Sequence, residues 1–290
     1  MTEQVRIDKQ LARRAFERAA SSYDRAAVLQ REVNQHLLER FDYIRFTPTT
    51  ILDVGCGTGY ASFALQKRFK QARIYALDMA MPMLQVMRSQ TSILSRLKNR
   101  LHLLGGDAER LPLPDQSIDL VYSSLTIQWV NDLDTVLSEF RRVLKPGGML
   151  LFSTFGPDTL KELRVSWQAV DTYSHVSPFL DMHDIGDAML RARLAEPVMD
   201  VENFTMTYAD VYKLMRDLKA IGAHNVTSAR SRGLTGKRRM QRLEQAYEQF
   251  RSESVLPASY EVVYGHAWAP LQTPQSSNEV TIPIDTLRTK

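Results

Sequence analysis

The sequence predicts an α/β fold in which strands alternate with helices around a mostly parallel sheet. The first observation is an apolar, β-branched run at residues 51–54 that stops at three glycines within five positions. An amphipathic pattern follows at residues 61–69, so this segment is a strand, a tight turn and a helix. The second observation is another buried strand at residues 72–78, which ends at Asp78. Open α/β sheets bind ligands at the carboxyl ends of their strands, so we expect a site there.

The three glycines Gly55, Gly57 and Gly59 leave two ligands to consider. A dinucleotide-binding turn has the spacing G-x-G-x-x-G, whereas Tyr60 stands where its third glycine would be, which disfavours a pyrophosphate. With Asp53 in front, the motif D-x-G-x-G-x-G resembles motif I of the class I S-adenosylmethionine-dependent methyltransferases. In that family the loop packs against the methionine part of the cofactor. The alternative is an ordinary strand-to-helix turn.

Carboxylates also follow the next two predicted strands. Asp78 lies nineteen positions after Gly59, where an acidic residue can accept both hydroxyls of a ribose. Its alternative role is to cap the predicted helix at residues 81–90. After a third strand at residues 101–104 comes the pair Asp107 and Ala108, which the family resemblance assigns to adenine, Asp107 through the exocyclic amine.

The resemblance covers residues 51–155, where further strands at 117–124 and 149–155 and a Leu-Lys-Pro-Gly-Gly turn complete the pattern. It implies a Rossmann-like class I methyltransferase fold with seven strands, mostly parallel, and an antiparallel last strand. It also implies the cofactor S-adenosyl-L-methionine and the product S-adenosyl-L-homocysteine. The cofactor-binding residues that we predict are Tyr23, Asp53, Gly55, Gly57, Gly59, Asp78, Met79, Asp107, Ala108 and Ser123.

Segments outside this core are expected to cover the site. Residues 1–45 are predicted to form helices over the cofactor, with Tyr23 either closing the pocket or simply packing against the sheet. Residues 46–270 form the core, with helical lid insertions at about 158–195 and 209–253 that we expect to decide substrate specificity. The polar, aperiodic stretch 271–290 is predicted to be a disordered tail.

Composition favours a cytoplasmic enzyme that works without a metal. The 290 residues are 44% hydrophobic and carry a formal net charge of +4. They show no signal peptide and no apolar run of about eighteen residues, so no membrane partner is expected. The six histidines lack metal-binding spacing, and the single cysteine, Cys56, excludes an internal disulfide.

Further blocks resemble a more specific family. The stretches 14–24, 124–129, 217–223, 232–236 and 260–268 are similar to the malonyl-acyl-carrier-protein O-methyltransferases of biotin synthesis. This resemblance implies methylation of the free carboxylate of a malonyl thioester, held on acyl carrier protein or coenzyme A. Such a carboxylate is already ionised at pH 7, with a pKa of about 4, so we expect no general base and no catalytic residue of that kind.

A carboxylate leaves water only for cationic or hydrogen-bonding partners. Our candidates for substrate binding are Gln128, Trp129, Lys219, Arg230 and Arg232. The alternative role of Trp129 is packing in the core. The alternative for each cation is that it is a solvated charge on the surface.

A basic cluster at Lys237, Arg238 and Arg239 is predicted to dock the acidic carrier protein.

Three other functions are compatible with parts of the sequence. The basic stretch would also suit an RNA methyltransferase, although no aromatic-interleaved basic segment is present and we expect no nucleic-acid partner. A methyltransferase-like assembly factor of respiratory complexes shares several motifs, and a quinone C-methyltransferase, acting on another small molecule, shares the core.

Overall fold

The computed structural model describes residues 6–91, 100–230, 233 and 235–271, and its centre is a seven-stranded sheet. The order of strands across the sheet is β3-β2-β1-β4-β5-β7-β6. In chain order the strands are β1 Thr50–Val54, β2 Arg73–Asp78, β3 Leu101–Gly105, β4 Ile118–Ser124, β5 Leu144–Phe155, β6 Ala195–Tyr208 and β7 Leu256–Trp268.

Strand pairing confirms the predicted topology. Strands β1 to β5 pair in parallel, with Ile51 opposite Ile74 on β2 and opposite Leu120 on β4. The last strand, β7, runs antiparallel to both of its neighbours, β5 and β6. The carboxyl ends of the parallel strands therefore meet along one edge, where the predicted site residues are concentrated.

Helices cover both faces of the sheet. The α-helices are α1 Lys9–Ala19, α2 Tyr23–Ala26, α3 Val28–Glu39, α4 Tyr60–Arg68, α5 Met81–Gln90, α6 Leu133–Val143, α7 Lys161–Gln168, α8 Met182–Arg191, α9 Val211–Ala220 and α10 Lys237–Glu248. Two 3-10 turns occupy Arg40–Asp42 and Ile127–Trp129.

Side-chain alternation along the strands divides the core into two layers. Ile51 packs in a cluster with residues of α3, α4, α7, α9 and α10, whereas its neighbour Leu52 packs with α6 and α8. Successive residues of a strand point to opposite faces, so each strand contributes to both clusters.

The helix α8 corrects one sequence-based expectation. It lies within the insertion 158–195 predicted to be a lid, yet Ile185 and Met189 pack with Phe140 of α6 against the sheet. The amphipathic period of α8 identifies a buried face but not the element that covers it. The earlier part of that insertion, with Leu163 and Phe179, lines the second pocket described below, whereas α8 does not.

Two further expectations concern the C-terminal tail and a membrane partner. Residues 272–290, almost all of the predicted tail, lie outside the described residues. Within the described part of the chain, no helix is long and apolar enough to cross a membrane.

Candidate functional site

The glycine loop between β1 and α4 has the conformation that the motif requires. Gly55, Gly57 and Gly59 have φ angles of +73°, +53° and +99°, which favour glycine over residues with a side chain. A Cβ atom on Gly55 would lie 2.0 Å from Oγ1 of Thr126, and one on Gly59 would lie 2.6 Å from Cγ of Met87. Two glycines are therefore required by packing, whereas Gly57 faces open space.

Asp78 fixes this loop from the end of β2. Its Oδ2 accepts a hydrogen bond from the Gly57 amide at 2.9 Å, and its Oδ1 accepts one from the Ala80 amide at 2.8 Å. Burial raises the pKa of Asp78, and the hydrogen bonds from these amides oppose that rise. Because Ala80 is the N-cap of α5, the carboxylate supports the start of that helix and also faces a pocket.

The first pocket lies at the carboxyl ends of β1, β2, β3 and β4, and its empty space, which includes open solvent, is about 700 Å³. Asp78 and Asp107 are the carboxylates in its lining. Its other lining residues include Lys9, Phe16, Tyr23, Gly55, Gly57, Leu77, Met79, Met83, Ala108, Leu125 and Trp129. The structure thus brings together Tyr23, Gly55, Gly57, Asp78, Met79, Asp107 and Ala108 of the predicted cofactor set.

Three predicted cofactor residues, Asp53, Gly59 and Ser123, lie outside the lining of the first pocket, and Gly59 also lies outside that of the third pocket described next. Asp53 is buried, accepts a hydrogen bond from Ser62 Oγ at 2.5 Å, and lines a third pocket on the other side of the glycine loop. Burial, with a smaller contribution from the charge of Asp78, raises the pKa of Asp53 to about 7, although the Ser62 hydrogen bond opposes the rise.

The alternation of side chains along β4 corrects the prediction that Ser123 binds the cofactor. It is fully buried, and its Oγ donates to the Val54 carbonyl at 3.3 Å. The next residue, Ser124, lines the first and third pockets. A shift of one residue along a strand reverses the side chain's direction, so Ser124 replaces Ser123 among the candidate site residues.

A second pocket of about 750 Å³ adjoins the first. Phe16, Tyr23, Leu125 and Trp129 line both pockets and form the boundary between them. The rings of Phe16 and Trp129 meet edge to face, with centroids 5.1 Å apart. Leu125 has a φ of +49°, an uncommon conformation for a residue with a side chain. Burial, and then the charges of Asp78 and Asp24, raise the pKa of the Tyr23 hydroxyl, which therefore stays neutral.

The sequence comparisons give the family. A methyltransferase domain model matches residues 52–152. The malonyl-[acyl-carrier protein] O-methyltransferase of Methylovorus sp. (strain MP688) is 54% identical over 266 residues, which are 91% of this chain and 90% of that protein. The protein of the same name from Laribacter hongkongensis is 50% identical over 279 residues, 95% of this chain and 94% of that protein.

The chain belongs to the malonyl-[acyl-carrier protein] O-methyltransferase family. A solved structure, that of a SAM-dependent methyltransferase from Thermotoga maritima, has the same fold with a TM-score of 0.53 at 18% identity, covering 89% of this chain and 99% of that one.

The second pocket contains some predicted substrate residues but neither Lys219 nor Arg230, the two predicted cations that the structure describes. Gln128 and Trp129 line it, and Gln128 Oε1 accepts a hydrogen bond from Thr154 Oγ1 at 3.3 Å. Lys219 is exposed on α9 and lines no part of this pocket. Arg230 donates to the Thr227 carbonyl at 3.2 Å and lines a separate surface recess. Arg232 lies outside the described residues.

Two histidines in this lining were missed by the sequence analysis. His175 Nε2 lies 2.8 Å from Asp171 Oδ1, and its ring stacks on Trp167 at a centroid distance of 3.6 Å. His224 follows the end of α9. A lone histidine with no characteristic spacing gives no motif, so only the packing of distant segments reveals both residues.

The predicted docking cluster begins α10. Lys237 and Arg238 are exposed, whereas Arg239 Nη1 lies 3.9 Å from Asp171 Oδ2. Because Asp171 also pairs with His175, the start of α10 lies beside the outer wall of the second pocket.

No group of three or more His, Cys, Asp or Glu side chains within the described ranges has the arrangement of a metal site. Cys56 is buried, and burial raises the pKa of its thiol.

Proposed function

We propose that this chain transfers a methyl group from S-adenosylmethionine to the free carboxylate of a malonyl group on acyl carrier protein. The product is the malonyl methyl ester that primes pimeloyl and biotin synthesis. Relatives of 54% and 50% identity that carry this activity in their names support the proposal. The structural observation behind it is that two pockets meet at a boundary of Phe16, Tyr23, Leu125 and Trp129. A cofactor in one pocket and an acyl group in the other would meet there.

The first pocket fits the cofactor chemically. Asp78, half-buried at the end of β2, would offer a carboxylate to ribose hydroxyls, and Asp107 would offer another to the adenine amine. A Cβ atom on Gly57 would lie 3.9 Å from the Tyr23 ring and otherwise meet open space, so the backbone is accessible to a ligand there. When bound, S-adenosylmethionine supplies an electrophilic methyl group on a sulfonium sulfur.

The residues at the boundary would orient and dehydrate the reacting groups. A carboxylate nucleophile with a pKa of about 4 is already ionised at neutral pH, so no residue has to remove a proton. Aromatic and aliphatic side chains from α1, α2 and the turn after β4 enclose the junction. Exclusion of water and alignment of the carboxylate oxygen are therefore the contributions that this chain makes to the rate.

The charge around the second pocket favours one approach for the carrier protein. A wide groove that shares Gln128 and Phe179 with this pocket carries charges of both signs, because Arg6 and Arg191 line it beside three aspartates and Arg191 pairs with Asp134. The exposed cations at the start of α10 lie beside the other wall. We therefore propose that the carrier docks on the side of α10.

The test is intact-protein mass spectrometry of malonyl-loaded acyl carrier protein after incubation with the enzyme and S-adenosylmethionine. We expect the mass of one methyl group to be added to the malonyl form and none to an acetyl-loaded control, because acetyl lacks the free carboxylate. If cofactor binding is demonstrated by a thermal shift and the malonyl carrier stays unmodified, the proposed substrate is wrong. A role as an assembly factor would then be tested by copurification.

A further inference from the structure

The second pocket has an unusual charge composition for a site that accepts an anion. No lysine or arginine among the residues that the structure describes lines it. The titratable side chains in its lining are Tyr23, Tyr260, His175 and His224. Burial raises the pKa of both tyrosines, which therefore stay neutral. The two histidines are therefore the side chains of this described lining that could carry a positive charge beside a carboxylate.

His175 is already committed to the protein. Its Nε2 lies 2.8 Å from Asp171 Oδ1. Its ring lies parallel to that of Trp167, with an interplanar angle of 3°. Burial raises the pKa of Asp171, but the hydrogen bonds from His175 and the Tyr173 amide outweigh burial and lower it. His175 is thus already engaged by Asp171 and Trp167 as part of the wall.

His224 is held in place but its imidazole is free. Gly222, with a φ of +77°, ends α9 against Ala15, where an added Cβ would lie 3.2 Å from the backbone. The His224 amide donates to the Gly222 carbonyl at 2.9 Å, and the next side chain, Asn225, donates to the Ser174 carbonyl. Within the described part of the chain, the His224 ring itself forms no hydrogen bond.

The surroundings of His224 suit a negatively charged ligand. Burial, followed by the positive charges of Arg18 on α1 and Lys219 on α9, lowers the pKa of His224. The charges that act on the imidazole are therefore positive, and its neutral form is favoured in the free protein at pH 7. A carboxylate placed beside the ring would favour the imidazolium form and raise that pKa.

We propose that His224 recognises the free carboxylate of the substrate by donating a hydrogen bond to one oxygen and taking up a proton as the anion binds. The inference rests on the proposed function and deepens it. The second carboxylate oxygen remains available to form a bond to the methyl carbon as the carbon–sulfur bond of the sulfonium breaks and S-adenosylhomocysteine leaves. Once the ester has formed, its charge is gone, so His224 returns the proton to solvent and the product is held less tightly than the acid. Arg18 and Lys219 contribute through their charge at a distance.

The first test replaces His224 by Ala and by Gln. We expect His224→Ala to raise the KM for malonyl carrier by roughly tenfold or more, because a hydrogen bond to a charged group is lost. His224→Gln retains a donor but cannot take up a proton, so its KM should lie between those of the parent and the Ala variant. The Kd of S-adenosylhomocysteine should stay unchanged in both variants. The matched control is His183→Gln, because His183 is an exposed histidine at the start of α8 that lines neither pocket.

An unchanged KM in His224→Ala overturns the inference, while the parent's activity leaves the proposed function standing. Equal weakening of the acid and of its methyl ester would also overturn it, because that pattern indicates a structural role. A parent enzyme with no turnover on malonyl carrier overturns the proposed function instead.

The second test measures proton uptake directly on the parent protein and uses His224→Gln only as a control. Calorimetric titration of malonyl-CoA into the S-adenosylhomocysteine complex, in two buffers of different ionisation enthalpy, measures proton uptake near pH 7. We expect a fraction of a proton to be taken up with malonyl-CoA, none with its methyl ester, and none with His224→Gln. Absence of uptake by the parent protein overturns the proposed protonation.

Discussion

Lys9 Nζ lies 2.7 Å from Asp107 Oδ2 and joins α1 to the loop after β3. The same ammonium lies 2.7 Å from Glu109 Oε2, so Lys9 bridges two carboxylates at the edge of the first pocket. The Asp107 side chain is 42% exposed, and exposed pairs of this kind contribute up to about 1 kcal/mol. We infer that the main consequence is positional, because the pair fixes the N-terminal helix over the pocket.

Asp107→Ala tests the proposed contact with the adenine amine. We expect the Kd for S-adenosylhomocysteine to rise by roughly threefold to tenfold, because one hydrogen bond in a partly solvated site is lost. Isothermal titration calorimetry measures this change. Glu109→Ala is the control, since it removes the other ion pair of Lys9 without removing a residue of the pocket lining. Equal losses in the two variants would show that the ion pairs matter and that Asp107 has no direct contact.

Gly57→Ala and Gly59→Ala should differ in opposite directions in thermal stability and in cofactor affinity. Both introduce a side chain at a positive φ, which costs about 1–2 kcal/mol. At Gly59 the new methyl group also overlaps buried Met87, so this variant should have the larger fall in Tm. At Gly57 the methyl group enters the lining of the first and third pockets, so this variant should lose more cofactor affinity.

Thermal denaturation and a titration with S-adenosylhomocysteine separate the two glycine variants. If Gly57→Ala binds the cofactor as tightly as the parent, the loop does not approach the ligand and the proposed cradle is wrong.

Asp53→Asn should change the pH dependence of stability. Burial raises the pKa of Asp53 to about 7, so the ionised form is disfavoured in the folded state. The parent therefore loses unfolding free energy as the pH rises from about 4 to about 7, whereas a neutral amide does not. Relative to the parent, the free energy of unfolding of the variant should increase by up to about 4 kcal/mol over this range. Urea denaturation at several pH values measures the difference.

Asp132→Asn provides a control of opposite sign. Asp132 caps α6, and hydrogen bonds from the Thr135 side chain and amide lower its pKa. The ionised Asp132 stabilises the folded state above about pH 4, and this effect is lost as the pH falls. The variant's deficit in free energy of unfolding should therefore shrink in acid. A pH-independent difference for Asp53→Asn would contradict the assigned burial effect.

Reversing the charges of Lys237 and Arg238 should impair the reaction with carrier protein. We expect the KM for malonyl carrier to rise by at least about tenfold at low ionic strength and less at high salt, because long-range attraction is screened. The KM for malonyl-CoA should change much less. Arg239 is left intact because its proximity to Asp171 couples it to the pocket wall.

Arg45→Glu is the matched control for the charge reversal. Arg45 is exposed and precedes β1, at the opposite end of the strands from the site. Equal effects per reversed charge, in the logarithm of carrier KM, would indicate a nonspecific response to net charge, and docking at α10 would be wrong.

The sequence by itself determined the fold and most of the first pocket. Alternating apolar runs specify strands and helices locally, and glycines at Gly55, Gly57 and Gly59 mark positive φ angles that other residues adopt at a cost. Because parallel strands end at one edge of the sheet, the order of strands in the sequence predicts that Asp78 and Asp107 line one pocket. These features depend on short-range chemistry and on a regular topology.

Only the tertiary structure decided the composition of the second pocket. Lys219 and Arg230 were plausible from charge alone, yet the orientation of α9 and the hydrogen bond to Thr227 keep both outside it. His175 and His224 became neighbours because two separate segments, joined through Asn225 and Ser174, pack over the sheet edge. Side-chain direction on a lid follows from packing between segments far apart in the chain, and residue type and local periodicity do not specify it.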